Sequence, residues 1–385
     1  MGKRIMAILL ASTMAVGMAT TAYAVEAPAE AADTASITIA EENPIDVAVD
    51  ALDKHTYGGI YYDENDVLHI IPVSGYESVV AQSVNAPLTR ANQAVVIDNA
   101  SAKKTVYSMA ELEEAQKYLL DNLEELGIIG VGFNGEANAL AVYLDDGDES
   151  TIMAASPVKN IIFRDGDVLK FSENVEALEP VDSDAIDTAG TARLTVKGGQ
   201  RCTSASGTYF STIATSAVYD YGGPNETTGF LTCGHGWSIG DSVYLNYGSY
   251  LGEVMLRKQS GDADYAFIAS SYNSNGYMTN GDRLTGRQDP TTGMSVKCYA
   301  AVSGIQSGEV LDTDISGSWG TNGVSYDFYD LFSTDISTIN GDSGAAFAHG
   351  SNIVGIMKGA ADNTYQNSVG VKIENIANYD VLPSK

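Results

Sequence analysis

Cysteine, histidine, tryptophan and basic residues are all scarce in this chain. Its 385 residues include 3 Cys, 4 His, 2 Trp and 21 Lys plus Arg, against 50 Asp plus Glu, for a formal net charge of −29. With no basic patch, binding to nucleic acid by counterion release is excluded. The acidity reads otherwise as self-repulsion that favours solubility. An odd cysteine count leaves at least one thiol outside any intrachain disulfide. No Cys/His cluster has zinc-ligand spacing and no Asp/Asn loop has that of a calcium loop, so no metal and no other cofactor is expected. No apolar run reaches the ~20 residues that span a bilayer, so no membrane partner is expected either.

What is present first is an export signal. Lys3 and Arg4 precede an apolar run, Ile5 to Val16, and small residues ending Ala22-Tyr23-Ala24. That is a signal peptide over 1–24, and a secreted, extracellular protein is expected. Residues 25–55 are acidic and read as a disordered leader. From Gly58 to Val73 the pattern is a hairpin, with Ile60, Tyr61 and Tyr62, a turn at Asp63-Glu64-Asn65-Asp66, then Val67, Leu68, Ile70 and Ile71. Ser108 caps a helix with Glu111 at the capping-box position, and Leu112, Ala115, Leu119, Leu123 and Leu126 form its apolar face. Ile128–Phe133, an Asn134-Gly135 turn and a return strand Ala139–Leu144 make a second hairpin. Residues 56–170 are therefore expected to be a small α+β domain, and the acidic, Thr/Ala-rich 171–197 a linker. From 198 to 385 short β-branched and aromatic runs alternate with turn residues, the pattern of an all-β domain. Only Ile373–Leu382 looks helical there.

The chemistry is concentrated in the all-β part. Asn340-Gly341-Asp342-Ser343-Gly344 holds a serine between glycines, where a tight turn exposes its hydroxyl and converges backbone N–H groups. Taken alone such a string is also a common turn. A serine nucleophile needs a base that is near-neutral at working pH. His55 and His69 lie in the first domain, leaving His235 and His349, and His349 reads as a hairpin tip. His235 follows an apolar strand, Phe230 to Cys233, into a Gly-bracketed turn. A carboxylate must orient the imidazole. Asp264 opens the apolar run Asp264-Tyr265-Ala266-Phe267-Ile268, where an unpaired buried aspartate would be costly. Asp262 shares its strand face but lies in the preceding turn, and Asp264 is preferred.

The chain order His, Asp, Ser is that of the chymotrypsin arrangement. On these residues the chain resembles the streptogrisin and α-lytic endopeptidase group of bacterial chymotrypsin-like proteases. Gly199-Gln200-Arg201-Cys202 is similar to the start of the group's first barrel, Leu231–Gly236 to its L-T-A-G-H-C segment, and Ser303–Gly308 to its T-G-x-x-x-G stretch. Tyr107–Gln116 and the hairpin ending Ala141–Leu144 resemble its pro-region. The resemblance implies a chymotrypsin-like double β-barrel with a C-terminal helix, preceded by a small α+β pro-domain. It implies a secreted serine endopeptidase made as a precursor, with activation cleavage in 171–197. Ser343 would be the nucleophile, His235 the general acid/base, Asp264 its orienting residue, and the N–H groups of Gly341 and Ser343 the oxyanion hole. The partners would be an extended polypeptide substrate and the chain's own pro-region in cis, which assists folding and blocks the cleft.

Gly236, Lys358 and Ala345 depart from the group, Ala345 by replacing the second glycine usual after the nucleophile. Gly236 stands where a cysteine usually follows the histidine and pairs with the one at Cys202. Cys233 lies two residues before His235, and a helical turn over Thr232–Gly236 would let it reach Cys202 instead. Lys358 replaces a serine that supports the triad aspartate. It would pair with Asp264, reach the specificity pocket, or point to solvent. Ser337 stands where trypsin-like enzymes have an aspartate, against trypsin-like specificity. The Gly236 and Lys358 departures leave as a rival a catalytically silent protease-like binding protein; a second rival keeps the enzyme but makes its first domain a permanent binding module.

Overall fold

Strands outnumber helices among the described residues, and they assemble into two large sheets and a small three-stranded one. A computed structural model describes residues 41–91, 95–98, 106–170, 195–207, 209–220, 226–246, 248–272, 275–321, 324–359, 367–379 and 381–383. The expected signal peptide and residues 171–194 of the expected linker lie outside them. No helix among the described residues is long and apolar enough to cross a membrane.

The stretch expected to lack structure over 25–55 is ordered in part. Asn43 caps a helix, Pro44–Asp50, by accepting from the Ile45 N–H, and proline suits the first turn because its missing donor has no helical partner. Ile45 and Ala48 are buried beneath it. The hairpin follows as Tyr57–Tyr62 and Leu68–Pro72, its turn held by Asp63 Oδ1, which accepts from Asn65 N and Val67 N. Helix Met109–Leu120 starts in a full capping box: Ser108 Oγ accepts from Glu111 N, and Glu111 Oε2 from Ser108 N. Such a cap stabilises a helix by about 1 kcal/mol. The apolar face expected to run on to Leu126 is carried by two helices, the second being Leu123–Leu126.

The first large sheet has eight strands among the described residues, including Thr215–Tyr219, Thr227–Thr232, Ala263–Ala269 and, at one edge, Val381–Pro383. The C-terminal helix expected over Ile373–Leu382 is therefore shorter. It spans Ile373–Ala377, after which Val381 pairs with Tyr219.

The second large sheet has eleven strands and joins strands from the N-terminal region to those of the all-β part. Strand Ile128–Asn134 of the N-terminal hairpin pairs with strand Ile305–Thr321, matching Phe133 to Thr313, Val131 to Ser316 and Gly130 to Gly317. The approach is close enough that a Cβ on Gly317 would lie 2.0 Å from the Ile129 carbonyl oxygen. Apolar side chains follow the hydrogen bonds: Ile129, Ala141, Tyr143 and Leu169 share one core with Ile315, Phe328, Leu331 and Val371. The N-terminal region thus shares a sheet and a core with the region that carries the chemistry.

Candidate active site

Strand register brings the first two site residues together. Thr227–Thr232 runs antiparallel to Ala263–Ala269, with Thr232 opposite Ala266, so the exit of one strand lies beside the entry of the other. His235, just past the exit, meets Asp264 there, with Nδ1 2.7 Å from Asp264 Oδ2. Oδ1 of Asp264 accepts from the backbone N–H groups of Gly234 and His235, at 2.7 and 2.9 Å. The carboxylate is thereby fixed on both oxygens, and it is 2% exposed. Asp262 faces elsewhere, against Lys258 and the Tyr379 hydroxyl. His349 sits at the end of strand Ala346–His349 with Nδ1 2.8 Å from the Ser295 carbonyl, against the Tyr62 ring.

Burial alone pushes the Asp264 carboxyl up. The charge of His235, its hydrogen bond and the charge of Lys358 outweigh that and hold it at about 2. Burial likewise pushes the His235 imidazole down, but the Asp264 carboxylate and then Cys233 raise it well above its ordinary range.

Residues that the sequence did not single out shape the turn. The Tyr209 hydroxyl donates to the His235 carbonyl at 2.6 Å, and the Arg257 guanidinium to the Gly234 carbonyl at 2.8 Å. Gly236 has φ +80°, and a Cβ there would lie 2.2 Å from the Tyr209 ring. This is the physical reason for glycine, rather than cysteine, after the histidine. Residue 233 is not on a helical turn, and the Cys202–Cys233 bridge is not formed. Cys202, Cys233 and Cys298 are free, buried thiols. Cys233 Sγ lies 3.1 Å from the Tyr209 hydroxyl and Cys202 Sγ 3.2 Å from that of Ser211. Burial pushes the Cys202 thiol up to about 12.

The serine loop is anchored from three sides. Asp342 is fully buried, and its carboxylate accepts from Val302 N, Ser303 N, Ile339 N and, at 2.6 Å, the Ser303 hydroxyl. Thr212 of the first sheet donates its N–H to the Ser343 carbonyl and its hydroxyl to the Gly341 carbonyl. Met357 exchanges backbone hydrogen bonds with Gly344 and Ala345, both at 2.8 Å. Gly344, at φ +86°, abuts the His235 turn, for a Cβ there would lie 2.6 Å from the Cys233 nitrogen. The loop is thus wedged against the segment that leads into His235, and Ser343 is half-buried. Thr212 and Asp342 carried no separate signal, since an isolated threonine in a strand and an aspartate in a turn are ordinary. Ser337 is exposed in the segment before the loop. Lys358 follows Met357 and is half-buried, and its charge acts on Asp264. Burial pushes its ammonium down, against the pull of that carboxylate.

Over 166 residues, 38% of this chain and 93% of the relative, the sequence is 28% identical to Serine protease 2 of Streptomyces fradiae. That relative bears out the resemblance to bacterial chymotrypsin-like serine proteases. Solved structures similar to the chain include a Nocardiopsis protease, 18% identical with a TM-score of 0.43, covering 50% of this chain and 100% of that one. Thermobifida fusca Protease A is 22% identical with a TM-score of 0.41, covering 50% and 100%. No family model matches the chain.

Proposed function

We propose that this chain, a serine-type endopeptidase by its likeness to these proteases, cleaves extended polypeptides through His235, Asp264 and Ser343. The buried Asp264–His235 pair, beside the anchored Ser343 loop, carries the proposal. Asp264 accepts a hydrogen bond from the Nδ1–H of His235 and fixes the tautomer with Nε2 free to act as base. Nε2 takes the Ser343 hydroxyl proton as Oγ bonds to the scissile carbonyl carbon, and the N–H groups of Gly341 and Ser343 receive the oxyanion. The protonated imidazole then gives its proton to the leaving amine, and an acyl-Ser343 intermediate remains. Water, deprotonated by His235, releases the acid and restores Ser343. The site would lie between the two barrels of a chymotrypsin-like domain, a junction suited to an extended peptide. No cofactor takes part in these steps.

The finer reading is a secreted precursor. Residues 1–24 would direct export and the region up to 170 would act as a pro-region, cut away within 171–197. The continuous sheet and shared core favour this, because a region that completes the fold of the second sheet is suited to guide it. The charge of Lys358 on Asp264 favours a role beside the triad over one in a specificity pocket with Ser337. A serine-directed fluorophosphonate should label the wild type at Ser343 alone, and Ser343→Ala should lower turnover by roughly 10⁶ with the fold intact. Labelling elsewhere, or near-normal activity in the variant, would refute the proposal.

A further inference from the structure

The N-terminal segment zips onto one stretch of the second sheet. Glu41–Glu42 pairs in parallel with Gly286–Arg287. Next, Asn43 Nδ2 donates to Gln288 Oε1 at 2.8 Å, and Gln288, 1% exposed, donates to the Tyr62 hydroxyl at 3.1 Å. The Tyr62 N–H closes the run on the Thr292 carbonyl. In the middle sits Asp46, 6% exposed, its Oδ2 accepting from the Asp289 N–H at 2.9 Å. It borders a cavity of about 500 Å³ between this segment and the sheet.

Asp46 is buried among like charges. Asp50 faces it from its own helix, Asp289 from the docked stretch and Glu374 from the C-terminal helix, and the neutral Tyr62 phenol comes from the hairpin. The cations of the junction are engaged with other carboxylates: Arg287 with Glu374, Lys372 with Asp314 and Asp330, and Lys54 with Glu113. A carboxylate in such a place is stabilised by taking up a proton rather than by a counter-ion.

We propose that Asp46, held protonated when docked, latches the Asn43–Tyr62 segment to Gly286–Thr292, so that rising pH loosens the N-terminal region from the second sheet. Burial, and then repulsion from Asp289, Glu374 and Asp50, pushes this carboxyl up to about 8 against the hydrogen bond from Asp289 N. An undocked, hydrated Asp46 titrates near the ordinary ~3.9. Docking therefore takes up a proton between those values. Its strength is full below the undocked pKa, declines by at most about tenfold per pH unit as pH rises, and levels off above the docked one. The proton returns to solvent. Only the consequence, easier release of a cleaved pro-region near and above neutral pH, rests on the proposed function.

Amide hydrogen exchange tests the latch on the full chain carrying Ser343→Ala, which cannot cut itself. Protection of residues 44–62 and 286–292, corrected for intrinsic rates, is followed from pH 5.5 to 7.5. It should fall by up to about tenfold per unit in the parent chain. Asp46→Asn, which keeps the acceptor for Asp289 N, should leave it high and flat. Asp289→Asn should make the fall level off at lower pH. Flat protection in the parent, or an unchanged fall in Asp46→Asn, overturns the proposal. The measurement needs neither cleavage nor turnover, so it fails or succeeds independently of the protease assignment.

Discussion

Tyr143 donates its hydroxyl proton to Asp312 across 2.9 Å, joining the N-terminal hairpin to the long Ile305–Thr321 strand of the second sheet. Arg164 grips the same carboxylate with two hydrogen bonds, at 2.8 and 3.1 Å, and Asn134 adds a third donor. Asp312 is fully buried, and all three partners come from the N-terminal region.

That dependence is measurable. Arg164→Leu leaves the carboxylate buried without its counter-ion, and loss of one partner of a buried pair costs about 3 kcal/mol. Urea unfolding of the Ser343→Ala chain should show a loss of that order. Asp312→Asn in the same background should recover part of it, because the stranded charge is gone. Equal stability in all variants would mean that water already screens the pair.

The acid limb of activity should report His235. Its imidazole must be neutral to accept the serine proton, and it is raised well above its ordinary range chiefly by Asp264, against burial. Activity should therefore fall as pH drops through an apparent pKa above ~6.5. Asp264→Asn removes the raising charge and loses the tautomer, so turnover should drop about 10⁴ and the residual acid limb should move down. Asp262→Asn, whose carboxylate meets Lys258 and Tyr379, should do neither. If Asp262→Asn proved the crippling change, the orienting carboxylate would be misassigned.

Lys358 offers a separate test. Its cation helps to hold Asp264 ionised, and a nearby like charge should oppose a second positive charge on His235. Lys358→Met should shift the acid limb of kcat/KM upward, while Lys358→Arg should keep it. The ratio of cleavage after Glu to cleavage after Leu should stay constant in both. A ratio that collapses with an unmoved acid limb would place Lys358 in the specificity pocket instead.

Local signals were legible and partnerships were not. The capping box at Ser108, the hairpin pattern from Gly58 to Val73 and the Asn134-Gly135 turn each act within a few residues, and those elements stand where the pattern put them. Asp264 and His235 were legible because a charge entering an apolar strand and a histidine leaving one each need a reason. Helix Pro44–Asp50 was missed because its few apolar residues lie in an acidic, Ala-rich stretch, and tertiary burial decides its fate. The pairing of Ile128–Asn134 with Ile305–Thr321 was illegible because Gly130, Gly132 and Gly317 mark a close approach without naming the partner. The Cys202–Cys233 bridge that a helical turn would have allowed is not formed, and the Tyr209 hydroxyl lies beside Cys233 instead.

Removal of the N-terminal region should matter more for reaching the fold than for holding it. Without residues 41–170, strand Ile305–Thr321 loses its neighbour Ile128–Asn134, and Ile315, Phe328 and Leu331 lose Ile129, Ala141, Tyr143 and Leu169. The remaining sheets pair residues far apart in sequence, such as Thr215–Tyr219 with Val381–Pro383, and such pairing closes slowly. A partner that presents a preformed strand and an apolar face lowers the cost of ordering the long strand Ile305–Thr321. Residues 195–385 alone should therefore refold in poor yield from denaturant, and adding 41–170 in trans should raise the recovered activity at least tenfold. Arg164→Leu in that fragment should weaken the rescue, because Asp312 then docks as an unpaired charge. On the proposed export and activation, mass spectrometry of the culture medium should find a mature chain starting near Thr195. Equal refolding yields with and without the fragment, together with an uncut secreted chain, would make the N-terminal region a permanent part of the enzyme.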